Sequence, residues 1–217
     1  MRHSDFQPAT ALSLMLAALV LMLGVDLLLH DTIAQIFDEG HTIEFLSGVY
    51  YLAAAVLLVA VMPPGMRRSQ WHLPVILVLM FLREFDMDKA LTTEGVLQLR
   101  LYSGPAPLPE KIAGAAVIVL ILVCAWRLTA RTVPPFVRGL RQGRPDSWLV
   151  LLAGVTVIVS KSLDGIGRKL SAINHEIGAE TVIRASRIEE MLELVASMAL
   201  VMAVVMVIVP VVVVMAA

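Results

Sequence analysis

Six long apolar stretches, separated by short segments rich in proline, glycine and charged residues, dominate this chain of 217 residues. They lie at residues 9–30, 42–62, 71–91, 111–127, 147–168 and 188–214. Their lengths are close to the ~20 residues that an α-helix needs to cross the hydrocarbon core of a bilayer. Because lipid offers no hydrogen-bond partner to the backbone, each stretch is predicted to be a transmembrane helix.

Composition favours the same class of protein. Hydrophobic residues make up 59% of the chain and charged residues only 16%, whereas soluble domains average about 25% charged residues. Six spans and their connections use up the length, so we predict an all-α polytopic membrane protein, a single integral membrane domain over residues 1–217. The single cysteine, Cys124, excludes a disulfide framework within the chain, and a net charge of −1 gives no indication of nucleic-acid binding.

The segment before the last span has an amphipathic pattern. Leu170, Ile173 and Ile177 recur at spacings of three and four, while Lys169 and Glu176 fall on other faces. Such a helix can lie in the membrane interface. We therefore predict an interfacial helix over residues 167–187, with a plain connecting loop as the alternative.

The distribution of charge predicts an orientation. In a six-span chain the side that holds both termini carries eight basic residues and only two acids, Asp5 and Asp146, so the other sixteen of the eighteen acids lie on the opposite side. The loop 127–144 contributes five arginines, and basic loops mark the cytoplasmic side. The overall pattern resembles that of small bacterial inner-membrane proteins, which implies an inner-membrane location with both termini cytoplasmic and no particular activity.

Charged residues inside the spans are the most informative positions. Trp71 and Trp148 are predicted to anchor two helices at the cytoplasmic interface, with Arg83 twelve residues after the first and Lys161 thirteen residues after the second. At ~1.5 Å of rise per residue these bases lie about 18–20 Å into a hydrocarbon layer of ~30 Å. An ionised side chain near the bilayer centre costs at least ~2.5–3.5 kcal/mol. These residues and their acidic neighbours must therefore face the bundle interior and pair.

The spacing predicts particular pairs. Arg83 and Asp86 are three residues apart, as are Lys161 and Asp164, so each pair would share a helix face. The helix ends that carry the other intramembrane acids lie on the same side of the membrane, which predicts one charged cluster at the outward end of the bundle. The residues predicted to form a ligand-binding site there are Glu44, Arg83, Glu84, Asp86, Lys161, Asp164, Glu190 and Glu193.

Each prediction has a simpler structural alternative. Glu44, Glu189 and Glu190 fall in first helical turns, where acids favour the helix dipole. Ser47 and Ser160 are interpreted as helix-packing residues. A metal site that combines His41-x-x-Glu44 with Glu190-x-x-Glu193 is a weak indication, because only one reversed half of the paired Glu-x-x-His motif occurs. The sequence assigns no metal, cofactor or catalytic residue.

Three functions remain open. The first is binding or transport of a small cationic or zwitterionic ligand, or of protons, by the carboxylate cluster. The second is an intramembrane enzyme that acts on a lipid headgroup, with Glu84 or Asp164 as general acid or base. The third is a non-catalytic scaffold subunit whose charges only hold the bundle together. The expected partners are membrane lipids and a small polar ligand or cation, and the oligomeric state is left open.

Overall fold

A computed structural model describes residues 8–29, 42–171, 173–174 and 177–216, with side chains as far as residue 207. Throughout these ranges the regular structure is helical, with no strand. A π-helical turn, Leu128–Thr132, joins two of the helices. In chain order the helices are α1 Pro8–Leu29, α2 Thr42–Val61, α3 Pro64–Gln70, α4 His72–Glu84, α5 Met87–Leu91, α6 Leu99–Ser103, α7 Leu108–Arg127, α8 Val133–Arg141, α9 Pro145–Leu163, α10 Ile166–Ser171 and α11 Ala179–Ala216.

Five of the described helical stretches are long and apolar enough to cross a membrane, which agrees with the predicted class of helical membrane protein. They are Pro8–Leu29, Thr42–Val61, Leu108–Arg141, Pro145–Leu163 and Ala179–Val207. The predicted count of six is not reproduced, because the third predicted span corresponds to α4. This helix has 13 residues and is about 20 Å long, shorter than a hydrocarbon core of ~30 Å.

The bundle is built around α11. This helix packs against both α9 and α2, and α4 packs against α2. Small side chains make the close approach of these helices possible, as is usual inside membranes: Ala54, Ser160, Ala196 and Ser197 are fully buried. By contrast α1 and α7 lie at the periphery. Only 6% of the most apolar part of α1 is buried, and 11% of that of the stretch Leu108–Arg141, which begins with α7.

Two helices, α4 and α9, end at the same level of the bundle and earlier in the sequence than predicted. The prediction continues one helix to residue 91, but α4 ends at Glu84 and the backbone of Asp86 is left-handed, with φ of 45°. The prediction continues the other to residue 168, but α9 ends at Leu163 and Gly165 has φ of 59°. A left-handed residue cannot continue an α-helix, so both chains turn where their charged residues begin.

The structure also corrects two predicted connections. The segment 127–144 is not a loop: the π-helical turn leads into α8, with Pro134 and Pro135 in its first turn, where a missing N–H is tolerated. The amphipathic helix over residues 167–187 is not continuous either. It is interrupted after α10, where Asn174 has φ of 56°, and α11 begins at Ala179, while residues 172, 175 and 176 lie outside the described part.

Candidate functional site

Charged side chains from α2, α4, α9 and α11 meet at the end of the bundle where α4 and α9 stop. They surround a cavity of about 160 Å³, called the charged cleft here. All eight residues predicted to bind a ligand line it, so the structure brings the predicted set together. Its ten lining residues are Glu44, Arg83, Glu84, Asp86, Lys89, Lys161, Asp164, Glu189, Glu190 and Glu193.

Glu193 of α11 forms the floor of the cleft. Its side chain is only 8% exposed, and one oxygen, Oε1, interacts with groups from two other helices. Arg83 Nη2 of α4 donates to it over 2.8 Å, and Ser160 Oγ of α9 donates over 2.9 Å. Lys161 Nζ, also of α9, lies 2.8 Å away. These contacts tie α4, α9 and α11 together at one carboxylate, where two bases compensate the cost of burying it.

Glu84 is the second buried carboxylate. Its Oε1 lies 3.2 Å from Arg83 Nη2, the same nitrogen that reaches Glu193. A single guanidinium nitrogen therefore bridges two buried acids that belong to different helices. Tyr51 of α2, which is also buried, lies within electrostatic range of both acids. The floor of the cleft thus combines two carboxylates and one guanidinium group.

Lys161 connects the floor to the rim. Besides Glu193, its ammonium group contacts Glu189 Oε1 at 3.3 Å and Asp164 Oδ2 at 3.6 Å. The second contact is the pair predicted from the spacing of three residues, and the structure confirms it. The side chains of Lys161 and Asp164 are 35% and 49% exposed, so this part of the cleft is open.

The predicted pair between Arg83 and Asp86 is wrong. Arg83 instead contacts Glu84 and Glu193, while Asp86 Oδ2 forms its ion pair with Lys89 over 2.7 Å. The prediction assumed a helix through both residues. Because α4 ends at Glu84 and Asp86 is left-handed, the two side chains do not keep the helical relation that would place them on one face.

The cleft carries an excess of negative charge. Seven carboxylates face three basic groups, a formal difference of four charges when all are ionised. Its volume of about 160 Å³ corresponds to roughly five water molecules at ~30 Å³ each. A site of this size and sign suits a compact cation, such as an ammonium group with part of its hydration shell.

Some residues of the site were not predicted from the sequence. Ser160 was interpreted as a packing residue but donates to Glu193, whereas Ser47 does bond within its own helix, to Ile43 O. Neither Lys89, which lines the cleft, nor Tyr51, which is buried near its two buried acids, was considered. Tyr51 had a usable signal, because Glu44, Ser47 and Tyr51 are spaced by three and four residues and share a face of α2.

The metal hypothesis gains no geometric support. His41 lies outside the described residues. Among the residues that the structure describes, no three histidine, cysteine, aspartate or glutamate side chains are placed to hold a metal ion together.

Comparisons of the chain with protein families, curated proteins and solved structures found no match in any of the three.

Proposed function

We propose that the charged cleft binds or transports a small cationic or zwitterionic ligand, protons included. The observation that carries this proposal is the imbalance of seven carboxylates against three bases around a cavity of about 160 Å³. Internal neutralisation alone does not require this excess, because Arg83 and Lys161 already compensate the two buried acids, Glu84 and Glu193. An incoming cation would supply the missing positive charge.

The proposal includes a topology. α4, together with α5, forms a sixth crossing of a bacterial inner membrane, which places both termini in the cytoplasm and the cleft toward the periplasm. Two contacts support this orientation. Arg127 lies over the Trp71 ring at 5.3 Å from its centre and donates from Nη2 to Ser69 O over 2.6 Å. Tryptophan is enriched at both boundaries of a membrane and arginine at the cytoplasmic one, so the arginine of this pair favours the cytoplasmic side.

The contacts of Lys161 provide a way for the ligand to load. Its ammonium group is partly exposed and lies on a flexible stem, so an incoming cation can take its place beside Glu189 and Glu193. Arg83 and Ser160 would stay on Glu193 during this exchange, which keeps the buried carboxylate satisfied. A ligand that replaces one cation by another avoids exposing a bare charge to the interior.

Two other functions compete with this one. In a headgroup-processing enzyme, buried Glu84 or half-exposed Asp164 would exchange a proton with the substrate. In a scaffold, the same contacts would serve stability alone. For a scaffold, charge-removing substitutions only lower stability, whereas for a binding site they abolish stabilisation by a ligand. One experiment therefore separates the two functions.

The test uses purified protein in detergent and three amide variants, Glu84→Gln, Asp164→Asn and Glu193→Gln. Melting temperatures are measured with Mg²⁺, ethanolamine, phosphoethanolamine and amino acids between pH 5 and 8. A ligand at a hundred times its Kd adds ~2.7 kcal/mol to the stability of the native state. We expect at least one ligand to stabilise the wild type and each amide to abolish that effect. Glu180→Gln is the control, because this acid lies on α11 outside the cleft, paired with Arg184.

The contrary result is equally clear. If no ligand shifts the wild type, and each amide alone lowers the melting temperature by stranding Arg83 or Lys161, the cluster is a scaffold. Release of a modified headgroup from phospholipid, lost in Glu84→Gln or Asp164→Asn, would favour the enzyme instead.

A further inference from the structure

A second cavity adjoins the charged cleft. α4, α5 and α7 enclose an open groove of about 760 Å³, called the apolar groove here. Most of its lining is aliphatic, for example Leu79 of α4 and Val117 and Ile121 of α7. Its polar side chains are Arg83, Asp88, Thr92 and Glu110, all of which lie at the end nearest the cleft. The groove is therefore amphipathic along its length, with one polar end and one long apolar part.

Arg83 is the residue shared by the two cavities, because it lines the charged cleft and the apolar groove. Its ion pairs with Glu84 and Glu193 both run through Nη2. A guanidinium group has five N–H donors in a planar fork, so those on Nε and Nη1 lie outside these ion pairs. The side chain is 45% exposed. It is suited to hold an oxyanion at the mouth of the groove while it bridges the two acids.

The dimensions of the groove match a lipid chain. Its α7 wall runs from Glu110 to Leu128, a rise of about 27 Å over eighteen residues. One leaflet contributes half of a hydrocarbon core of ~30 Å, so a chain that starts at the polar end fits within the groove. Leu91 and Leu97, at the polar end, are 71% and 75% exposed. Such side chains belong in the membrane interface and not in water.

We propose that the apolar groove and the charged cleft together bind one zwitterionic phospholipid of the phosphatidylethanolamine type. One acyl chain lies between α4 and α7, the phosphate contacts Arg83, and the ammonium group enters the cleft. This inference rests on the proposed function, because the ammonium group is the small cation that the cleft takes. Charge decides the lipid class. An anionic headgroup without an ammonium would be repelled by the seven carboxylates, and a headgroup without a phosphate would offer no anion to the Nε and Nη1 donors of Arg83.

The test compares two lipids with the same acyl chains. Native mass spectrometry of the full chain measures the Kd of dioleoyl phosphatidylethanolamine and of dioleoyl phosphatidylglycerol. Thermal melting with water-soluble phosphoethanolamine reports on the cleft alone. Ala113→Trp fills the groove, and Ala115→Trp is its control, because this alanine is also exposed on α7 but lies outside the groove. Glu193→Gln reports on the contribution of the cleft.

We expect the wild type and Ala115→Trp to prefer phosphatidylethanolamine over phosphatidylglycerol by tenfold or more. Ala113→Trp should weaken phosphatidylethanolamine binding at least tenfold while keeping the melting shift with phosphoethanolamine. Glu193→Gln should bring the preference between the two lipids close to one.

Three results would overturn the inference. One is equal binding of the two lipids by the wild type. Another is equal binding of phosphatidylethanolamine by the two tryptophan variants. The third is a lipid-free dimer that Ala113→Trp dissociates, which would make the groove an interface between two copies of the chain. A melting shift with phosphoethanolamine together with any of these results would leave the proposed function standing. The absence of both a shift by any small ligand and a lipid preference would remove both proposals.

Discussion

The ion pair between Arg83 and Glu193 makes a sharp prediction about partner choice. It joins α4 to α11, whereas the spacing of the sequence favoured Asp86 as the partner of Arg83. A double-mutant cycle measures each pairing directly. We expect strong coupling between Arg83→Leu and Glu193→Leu, and almost none between Arg83→Leu and Asp86→Leu, because Asp86 forms its ion pair with Lys89.

The geometry sets the size of this coupling. At 2.8 Å, unit charges attract by about 6 kcal/mol at an effective dielectric constant of ~20. Two features reduce the net value: Arg83 is about half exposed, and Lys161 lies equally close to the same oxygen of Glu193. We therefore expect a coupling of about 2 kcal/mol, within the ~0.5–3 kcal/mol that residues in contact show. Arg83→Leu alone should cost no more than the low end of the ~3–5 kcal/mol range for a broken buried pair.

Equilibrium unfolding in mixed micelles with increasing SDS, followed by circular dichroism, gives the free energies for the cycle. The pair with Asp86 should be additive to within about 0.5 kcal/mol, as for groups without a direct contact. A coupling for the Asp86 pair that equals or exceeds that for the Glu193 pair would show that α4 continues as a helix past Glu84, and the description of the cleft floor would be wrong.

Two further predictions concern packing and topology. A Cβ at Gly48 would lie 2.5 Å from the ring of Phe85, so Gly48→Ala should lower the free energy of unfolding in SDS by ~1–3 kcal/mol. Gly24 has open space around it, so Gly24→Ala should be neutral or stabilising. Equal effects of the two substitutions would contradict the packing of α2 against Phe85. Topology is tested by thiol labelling of intact cells in a Cys124→Ala background. A cysteine introduced as Gln142→Cys should not react with an impermeant reagent, whereas one introduced as Gly178→Cys should react. The reverse labelling pattern would invert the proposed orientation.

The long apolar helices were predictable because their boundaries carry local signals. The second predicted span, 42–62, differs from α2 by one residue, since Pro63 and Pro64 follow it directly. The fourth ends at residue 127, as α7 does, although the chain continues as a π-helical turn. Proline removes a backbone donor wherever it occurs, so this signal does not depend on the neighbouring helices.

The early ends of α4 and α9 were harder to predict. Aspartate and glycine tolerate the left-handed backbone found at Asp86 and Gly165, but both also occur inside longer helices. Apolar residues continue after each break, for example Met87 and Ile166. The periodicity of the sequence therefore extended both spans, and with them the assumption that charges three residues apart share a face.

The charged cleft shows the same division between what one helix determines and what its neighbours determine. That the charges meet was predictable from the cost of ionised groups in lipid, which favours pairing of each charged side chain away from the lipid. Which charges pair depends on lateral packing, and that depends on how the small residues of α11 fit against α9 and α2. Glu193 receives Lys161 from α9, which packs directly against α11, and Arg83 from α4, which packs against α2. Spacing along one helix cannot predict an ion pair with another helix that is distant in the sequence. It therefore predicted the pair of Lys161 with Asp164 but missed the pair of Arg83 with Glu193.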